Sequence, residues 1–181
     1  MGAETANIYI RIKEQNLMIQ KQQIYIETSV ISYLVSRMSS NIVLAAYQQI
    51  THLWWNSQLP YYQPFTSDFV IEEITKGDPE LSKERLKIIQ KFNRLPVNDD
   101  VIELGNRYLR ELSIPRKASL DAYHLAISVI HGMDFVLSWN FRHMANAFVR
   151  RKLEIINADI GIQTPIICTP EELFKEAKDG Q

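Results

Sequence analysis

The chain has 181 residues, 46% of them hydrophobic and 23% charged, with a formal net charge of -1. That is the composition of one soluble globular domain with a sizeable core, and its near neutrality means that a polyanion would have to be held by a local basic patch. A single cysteine, Cys168, excludes an internal disulfide and a cysteine-based zinc site.

No apolar run reaches the roughly 18 to 20 residues of a membrane span, and the N-terminus lacks the basic, apolar and small-residue order of a signal peptide. The expectation is a cytoplasmic protein with no membrane association. Residues 1–23 are polar apart from the short run IYIRI and read as an N-terminal extension, loosely ordered, ahead of one domain over 24–178.

The first strand, IYI at 24–26, runs into Glu27 and then into apolar residues at helical spacing, with a break around Ser39 and Ser40 and with Ser29 as the expected N-cap. YQPFTSDF reads as a second strand leading into the helix VIEEITKG, ended by Gly77. A further helix opens with Asp78 as N-cap and Pro79 at its first position. A short strand near Leu95–Val97 follows, then helices over DDVIELGNRYLREL and SLDAYHLAISVIHG, strand DFVLSW, a basic helical stretch from Ala145, strand PIICT and a helix over PEELFKEAK. Short apolar strands alternating with helices indicate a parallel sheet covered on both faces, with the site beyond the carboxyl ends of the strands.

Glu27 ends an apolar strand between segments that both read as buried, so it needs a partner or a ligand. On the helix 120–131, at about 100° per residue, the apolar residues cover roughly 200° and leave a narrow stripe of Asp121, His124, Ser128 and His131. A solvated stripe would more often hold Lys and Glu, so this one suggests a polar interior cleft, while the simpler reading makes Asp121 a carboxylate favoured by the helix dipole and His124 a hydrogen-bonded core histidine. The same wheel puts Glu73 among Phe69 and Val70, half-buried, and turns Glu72 to the surface. Glu27, Glu73 and Asp121 thus have reason to face inward from separate elements. Converging acids repel, and a hard divalent cation relieves that repulsion.

These segments resemble the PIN-domain family, in particular the VapC-like ribonuclease toxins of type II toxin-antitoxin systems, from about Ile24 to Leu173. YIETSVI is similar to the family's opening strand and turn, VIEEITKG to its E-x-x-x-G helix, SLDAYHLAIS to its D-x-x-x-A helix and DFVLSWNFRHM to the strand and loop bearing its fourth acid. The resemblance implies a three-layer α/β/α fold with a central, mostly parallel sheet of about five strands. It makes Glu27, Glu73 and Asp121 the ligands of Mg²⁺ or Mn²⁺, completes the catalytic set with Asn140, and assigns supporting roles to Ser29, His124 and Ser138.

Two departures stand out: Glu27 replaces the commoner aspartate, and Asn140 replaces a carboxylate with an amide that can still offer an oxygen. The implied reaction is metal-dependent hydrolysis of RNA phosphodiester bonds by the toxin of a toxin-antitoxin pair, with an antitoxin protein and a homodimer as expected assemblies. Arg142, Arg150, Arg151 and Lys152 are candidates to guide the RNA backbone, their simpler reading being a solvated helix end. Trp54, Trp55, Tyr61 and Tyr62 read as core and dimer packing before base stacking. Two alternatives remain: an RNA-binding or protein-interaction module of the same fold with weakened catalysis, and a metal-dependent phosphohydrolase of small substrates.

Overall fold

The structure is a computed structural model, and it describes residues 21–174. Five parallel strands, β1 (Gln22–Ile26), β2 (Tyr62–Ser67), β3 (Asn93–Leu95), β4 (Phe135–Leu137) and β5 (Ile166–Cys168), form one sheet in the order β3-β2-β1-β4-β5. The α-helices among the described residues are α1 (Thr28–Val35), α2 (Ile42–Ser57), α3 (Asp68–Ile74), α4 (Pro79–Ile89), α5 (Asp99–Glu111), α6 (Ser119–Ile130) and α7 (Ala147–Asp159). They flank the sheet as the expected three-layer α/β/α arrangement.

The central strands are the most apolar because both their faces are covered. Ile24, Tyr25 and Ile26 of β1 and Phe135, Val136 and Leu137 of β4 are all buried. The chain builds outward from β1 through β2 to β3, then returns to add β4 and β5 on the other side of β1. The crevice between β1 and β4 is therefore the topological switch point, where open parallel sheets place their ligands.

Most expected elements lie where periodicity put them. The break after α1 spans the expected serines, Gly77 takes φ +89°, and Asp78 caps α4 by accepting from the backbone N–H groups of Glu80 and Leu81 at 2.9 and 3.0 Å. Three expectations need correction. Ser29 is not the N-cap of α1: Glu27 holds that position, and Ser29 lies inside the helix with its hydroxyl turned back to Glu27. The short strand runs over Asn93–Leu95, not Leu95–Val97, because Pro96 has no N–H to continue a ladder. Residues 170–173 form turns, held by reciprocal bonds between Thr169 and Glu172, and the expected helix beyond residue 174 lies outside the described residues. So does nearly all of the 1–23 extension, although Gln22 and Gln23 pair with Tyr62 and Gln63 as the start of β1.

Helix α6 is as enclosed as the wheel suggested, with Ala122 and His124 to Val129 all buried. It packs closely on α5 through Gly105, where an added Cβ would lie 2.2 Å from Tyr123 Cδ1. Tyr123 in turn stacks on Phe69 of α3, with centroids 5.4 Å apart. Gly105→Ala is therefore expected to lower stability by about 2 kcal/mol through overpacking, despite the better helix propensity of alanine. That is a fall of roughly 4 to 8 °C in Tm. An unchanged or higher Tm in thermal melts would mean that Tyr123 swings aside without cost.

Candidate active site

Glu27 follows β1, and its backbone N–H continues the β1/β4 ladder by donating to Leu137 O at 3.0 Å. The residue is only 5% exposed. Its Oε2 accepts from Ser29 Oγ and, at 2.7 Å, from Ser138 Oγ at the end of β4. Ser29 Oγ also accepts from Trp139 N at 2.8 Å, and Ser138 Oγ from Asn140 N at 2.9 Å. Two hydroxyls thus tie the acid to both sides of the crevice. Burial pushes the Glu27 carboxyl above its usual value, against the opposing influence of His124, Ser29 and Ser138, and neighbouring Glu73 adds to the rise.

Glu73, on α3, is the half-buried member of its pair, with a side chain 26% exposed. Glu72 lies on the surface and pairs with Lys76 at 2.9 Å. Glu73 Oε2 accepts from Thr28 Oγ1 at 2.5 Å and from His124 Nε2 at 3.0 Å. Partial burial pushes its carboxyl up, but the hydrogen bonds from His124 and Thr28 outweigh this and hold it below the usual range.

His124 is fully buried on α6 and uses both ring nitrogens, its Nδ1 lying 2.6 Å from the Tyr25 hydroxyl, which is itself 2.6 Å from Ser67 Oγ. A neutral ring that donates Nε2–H to Glu73 accepts at Nδ1 from Tyr25, and the Tyr25 oxygen then accepts from Ser67. This chain through the core fixes the orientation of Glu73. Its first two members, Tyr25 and Ser67, were missed in the sequence; the only signal was polar atoms on strands that otherwise read as core.

Among the described residues, one ligand atom from each of Glu27, Glu73 and His124 falls within 4.8 Å of the others. Asp121 is outside that tight group. It lies on the first turn of α6 against Asn140, whose Oδ1 accepts from Arg142 N at 3.2 Å and His143 N at 3.0 Å, so the amide N–H is the group that meets the carboxylate. Burial raises the Asp121 carboxyl, and the Asn140 hydrogen bond with nearby His124 and His143 opposes the rise. The Asn140 oxygen thus caps the loop after β4, and its nitrogen faces Asp121. Ser128 and His131, the rest of the α6 stripe, bond to Leu125 O and Pro96 O at 2.7 and 2.9 Å, away from the acids.

The donor set suits a hard cation. The recorded hydrogen bonds of Glu27 and Glu73 all fall on Oε2, which leaves an Oε1 on each without a partner among the described residues. Carboxylate oxygens are what Mg²⁺ and Mn²⁺ prefer.

The four basic candidates divide. Arg150 forms a two-pronged pair with Glu172, both contacts at 3.0 Å, and Lys152 Nζ donates to Glu111 O at 2.8 Å. Arg151 pairs with Glu154 at 3.2 Å, with both side chains well exposed. Arg142 is exposed and has no ion pair among the described residues. Of the aromatics, Trp54 is fully buried, stacks on Tyr62 at 5.9 Å and donates Nε1–H to Leu173 O at 3.0 Å, whereas Trp55 meets Phe92 at 5.9 Å. These match the core-packing expectation; Tyr61 is exposed.

No protein-family model matches the sequence, and no curated protein does. Solved structures do. VapC20 of Mycobacterium tuberculosis, described as a sarcin-ricin loop cleaving toxin, aligns with a TM-score of 0.51 at 16% identity over 66% of this chain and 91% of that one. VapBC-1 of nontypeable Haemophilus influenzae aligns at 0.52 and 12% identity, over 83% and 99%. FitAcB of Neisseria gonorrhoeae aligns at 0.51 and 15%, over the same shares. At such identities the likeness is one of fold. The sheet order, the helices that flank it and these alignments together show that residues 21–174 share the three-layer α/β/α fold of these solved VapC, VapBC and FitAcB structures.

Proposed function

We propose that the chain is a divalent-metal-dependent ribonuclease of the VapC type, with Glu27, Glu73 and Asp121 as the acids that hold Mg²⁺ or Mn²⁺. The observation that carries this reading is the pair Glu27 and Glu73 at the β1/β4 switch point, each with Oε2 anchored and Oε1 unengaged. Two carboxylates brought this close in a buried crevice are costly without a cation. When bound, the ion supplies Lewis acidity toward a phosphodiester and makes a nearby water more acidic. The chain's own groups do the positioning. Ser29 and Ser138 fix Glu27, Thr28 and His124 fix Glu73, and Asn140 orients Asp121.

Backbone phosphates would meet Arg142 first. The exposed Arg151–Glu154 pair contributes little on its own and yields readily to a phosphate, whereas Arg150 and Lys152 would have to leave closer intramolecular partners. An antitoxin partner, a homodimer and a cytoplasmic location belong to the same reading. No helix among the described residues is long and apolar enough to cross a membrane.

The test is cleavage of RNA by purified protein with Mn²⁺ and its loss with chelator, together with growth arrest on expression that a small partner protein relieves. Asp121→Asn is expected to weaken Mn²⁺ binding at least tenfold, about 1.4 kcal/mol, with the fold retained. Glu72→Gln should bind as the parent does. Calorimetry showing unchanged affinity for Asp121→Asn would remove that residue from the site. One observation favours a second reading, a metal- and RNA-binding module that does not cleave: the fourth acid is an amide whose oxygen is already engaged by the Arg142 and His143 N–H groups. Tight Mn²⁺ and RNA binding without cleavage and without toxicity would select it.

A further inference from the structure

The loop that closes the acid site from β4 alternates in what it presents. Ser138 bonds Glu27 and Asn140 meets Asp121, while Trp139 and Phe141 turn into a cluster of rings. Trp139 is buried, with its indole N–H donating to Thr51 Oγ1 at 2.8 Å and its ring stacked on Tyr47 at 4.5 Å and 25°. Tyr47 lies 16° from parallel to Tyr33 at 6.4 Å and meets Phe141 at 5.5 Å. Buried Trp139 thus backs three rings that keep part of their surface in solvent, with Phe141 43% exposed.

This wall adjoins the acids. Trp139 N is bonded to the same Ser29 hydroxyl that holds Glu27. Glu27 is also close enough to Tyr33 to add to the rise that burial and Tyr47 impose on its phenol. Two exposed cations, Arg37 just past α1 and Arg142 next to Phe141, have no ion pair among the described residues. Aromatic faces with guanidinium groups beside a phosphodiester site are the chemistry that receives an unstacked base and its flanking phosphates. A paired duplex would keep its bases from such faces.

We infer that Tyr33, Tyr47 and Phe141, backed by Trp139, form a stacking subsite for a nucleobase next to the scissile phosphate. The inference rests on the ribonuclease reading above. Each ring contact with a base is typically worth a factor of about 5 to 150 in affinity.

The experiment uses the full chain and a short single-stranded RNA, with a copy of the same RNA carrying abasic sites, and measures binding with chelator present to prevent cleavage. Parent protein should bind the abasic RNA about tenfold or more weakly than the intact RNA. Phe141→Ala should lose a similar factor on intact RNA and show little further loss on abasic RNA, because the two changes remove one contact. Its Mn²⁺ affinity should be unchanged. Additive losses, or equal binding of both RNAs by the parent, would overturn the stacking subsite while Mn²⁺-dependent cleavage kept the ribonuclease reading. Absence of both cleavage and RNA binding would remove the two together. Phe141→Ala that left RNA affinity intact but weakened an inhibitory protein partner would reassign the wall to that partner.

Discussion

Replacing Glu27 with Gln is expected to raise the melting temperature of the metal-free protein while abolishing its response to Mn²⁺. The side chain is almost fully buried, burial raises its carboxyl, and Glu73 lies close by. Glutamine keeps an oxygen for Ser29 and Ser138, adds an N–H that can donate toward Glu73, and removes one of two repelling charges. The gain without metal should be about 1 to 2 kcal/mol, or roughly 2 to 8 °C. With saturating Mn²⁺ the order reverses, since the parent is stabilised by ligand linkage and the variant is not. The loss of nuclease activity should exceed the roughly 10- to 100-fold typical of changes outside the ligand set.

The pH dependence carries the same sign. A carboxyl raised in the native state binds its proton there before the unfolded chain does, so its contribution to stability grows as pH falls from the raised value to the ordinary carboxylate range. Metal-free parent should therefore narrow its deficit against Glu27→Gln on acidification through that window. Glu73, held low, loses its contribution only as pH falls further, below the ordinary carboxylate range, so the window above that range reports on Glu27. A variant that melts lower than the parent without metal at neutral pH would mean that Glu27 is held by the protein alone and awaits no cation.

The second large effect is expected at Asn140. Asn140→Asp retains an oxygen for the Arg142 and His143 N–H groups but turns the N–H that meets Asp121 into a second oxygen. One hydrogen bond to a carboxylate is lost, and two acids face each other across a half-buried space. Metal-free protein should lose about 2 kcal/mol, a drop of roughly 4 to 8 °C in Tm. With Mn²⁺ present the added charge draws the ion more tightly, so the metal-induced rise in Tm should exceed that of the parent and activity should increase where metal is limiting. Melting curves with chelator and with Mn²⁺ decide the matter: equal shifts under both conditions would show that position 140 does not sense the ion.

Hydrophobic period and strand-end position were enough to indicate a parallel sheet covered on both faces and to separate Glu73 from Glu72, since both depend on local pattern; the order of the strands came only with the fold. The strand at Asn93–Leu95 was misplaced because an edge strand with exposed Asn93 and Arg94 has no apolar signature to find. The bonds that shape the site join residues far apart in the chain: Tyr25 with His124, Thr28 with Glu73, Glu27 with Ser138. No periodicity reports such pairs. The wheel drew one stripe through Asp121, His124, Ser128 and His131, but only the folded surroundings divide it into two residues near the acids and two bonded to backbone carbonyls. Arg150 likewise read as open to RNA until Glu172, across a helix and a strand, took both its prongs.

The switch point at β1 and β4 also sets when the site can come into being during synthesis. β1 is made early, but its partner on that side starts at Phe135, and the residues that complete the acid cluster, His124, Asp121, Ser138 and Asn140, all belong to the later part of the chain. Closing that ladder requires a loop of more than a hundred residues, the kind of non-local step that comes late in folding. A nascent chain that has emerged only through α5 carries Glu27 and Glu73 but nothing from α6 or β4 to hold them in register. The order of the strands thus delays assembly of the acid cluster until α6 and β4 have both been made.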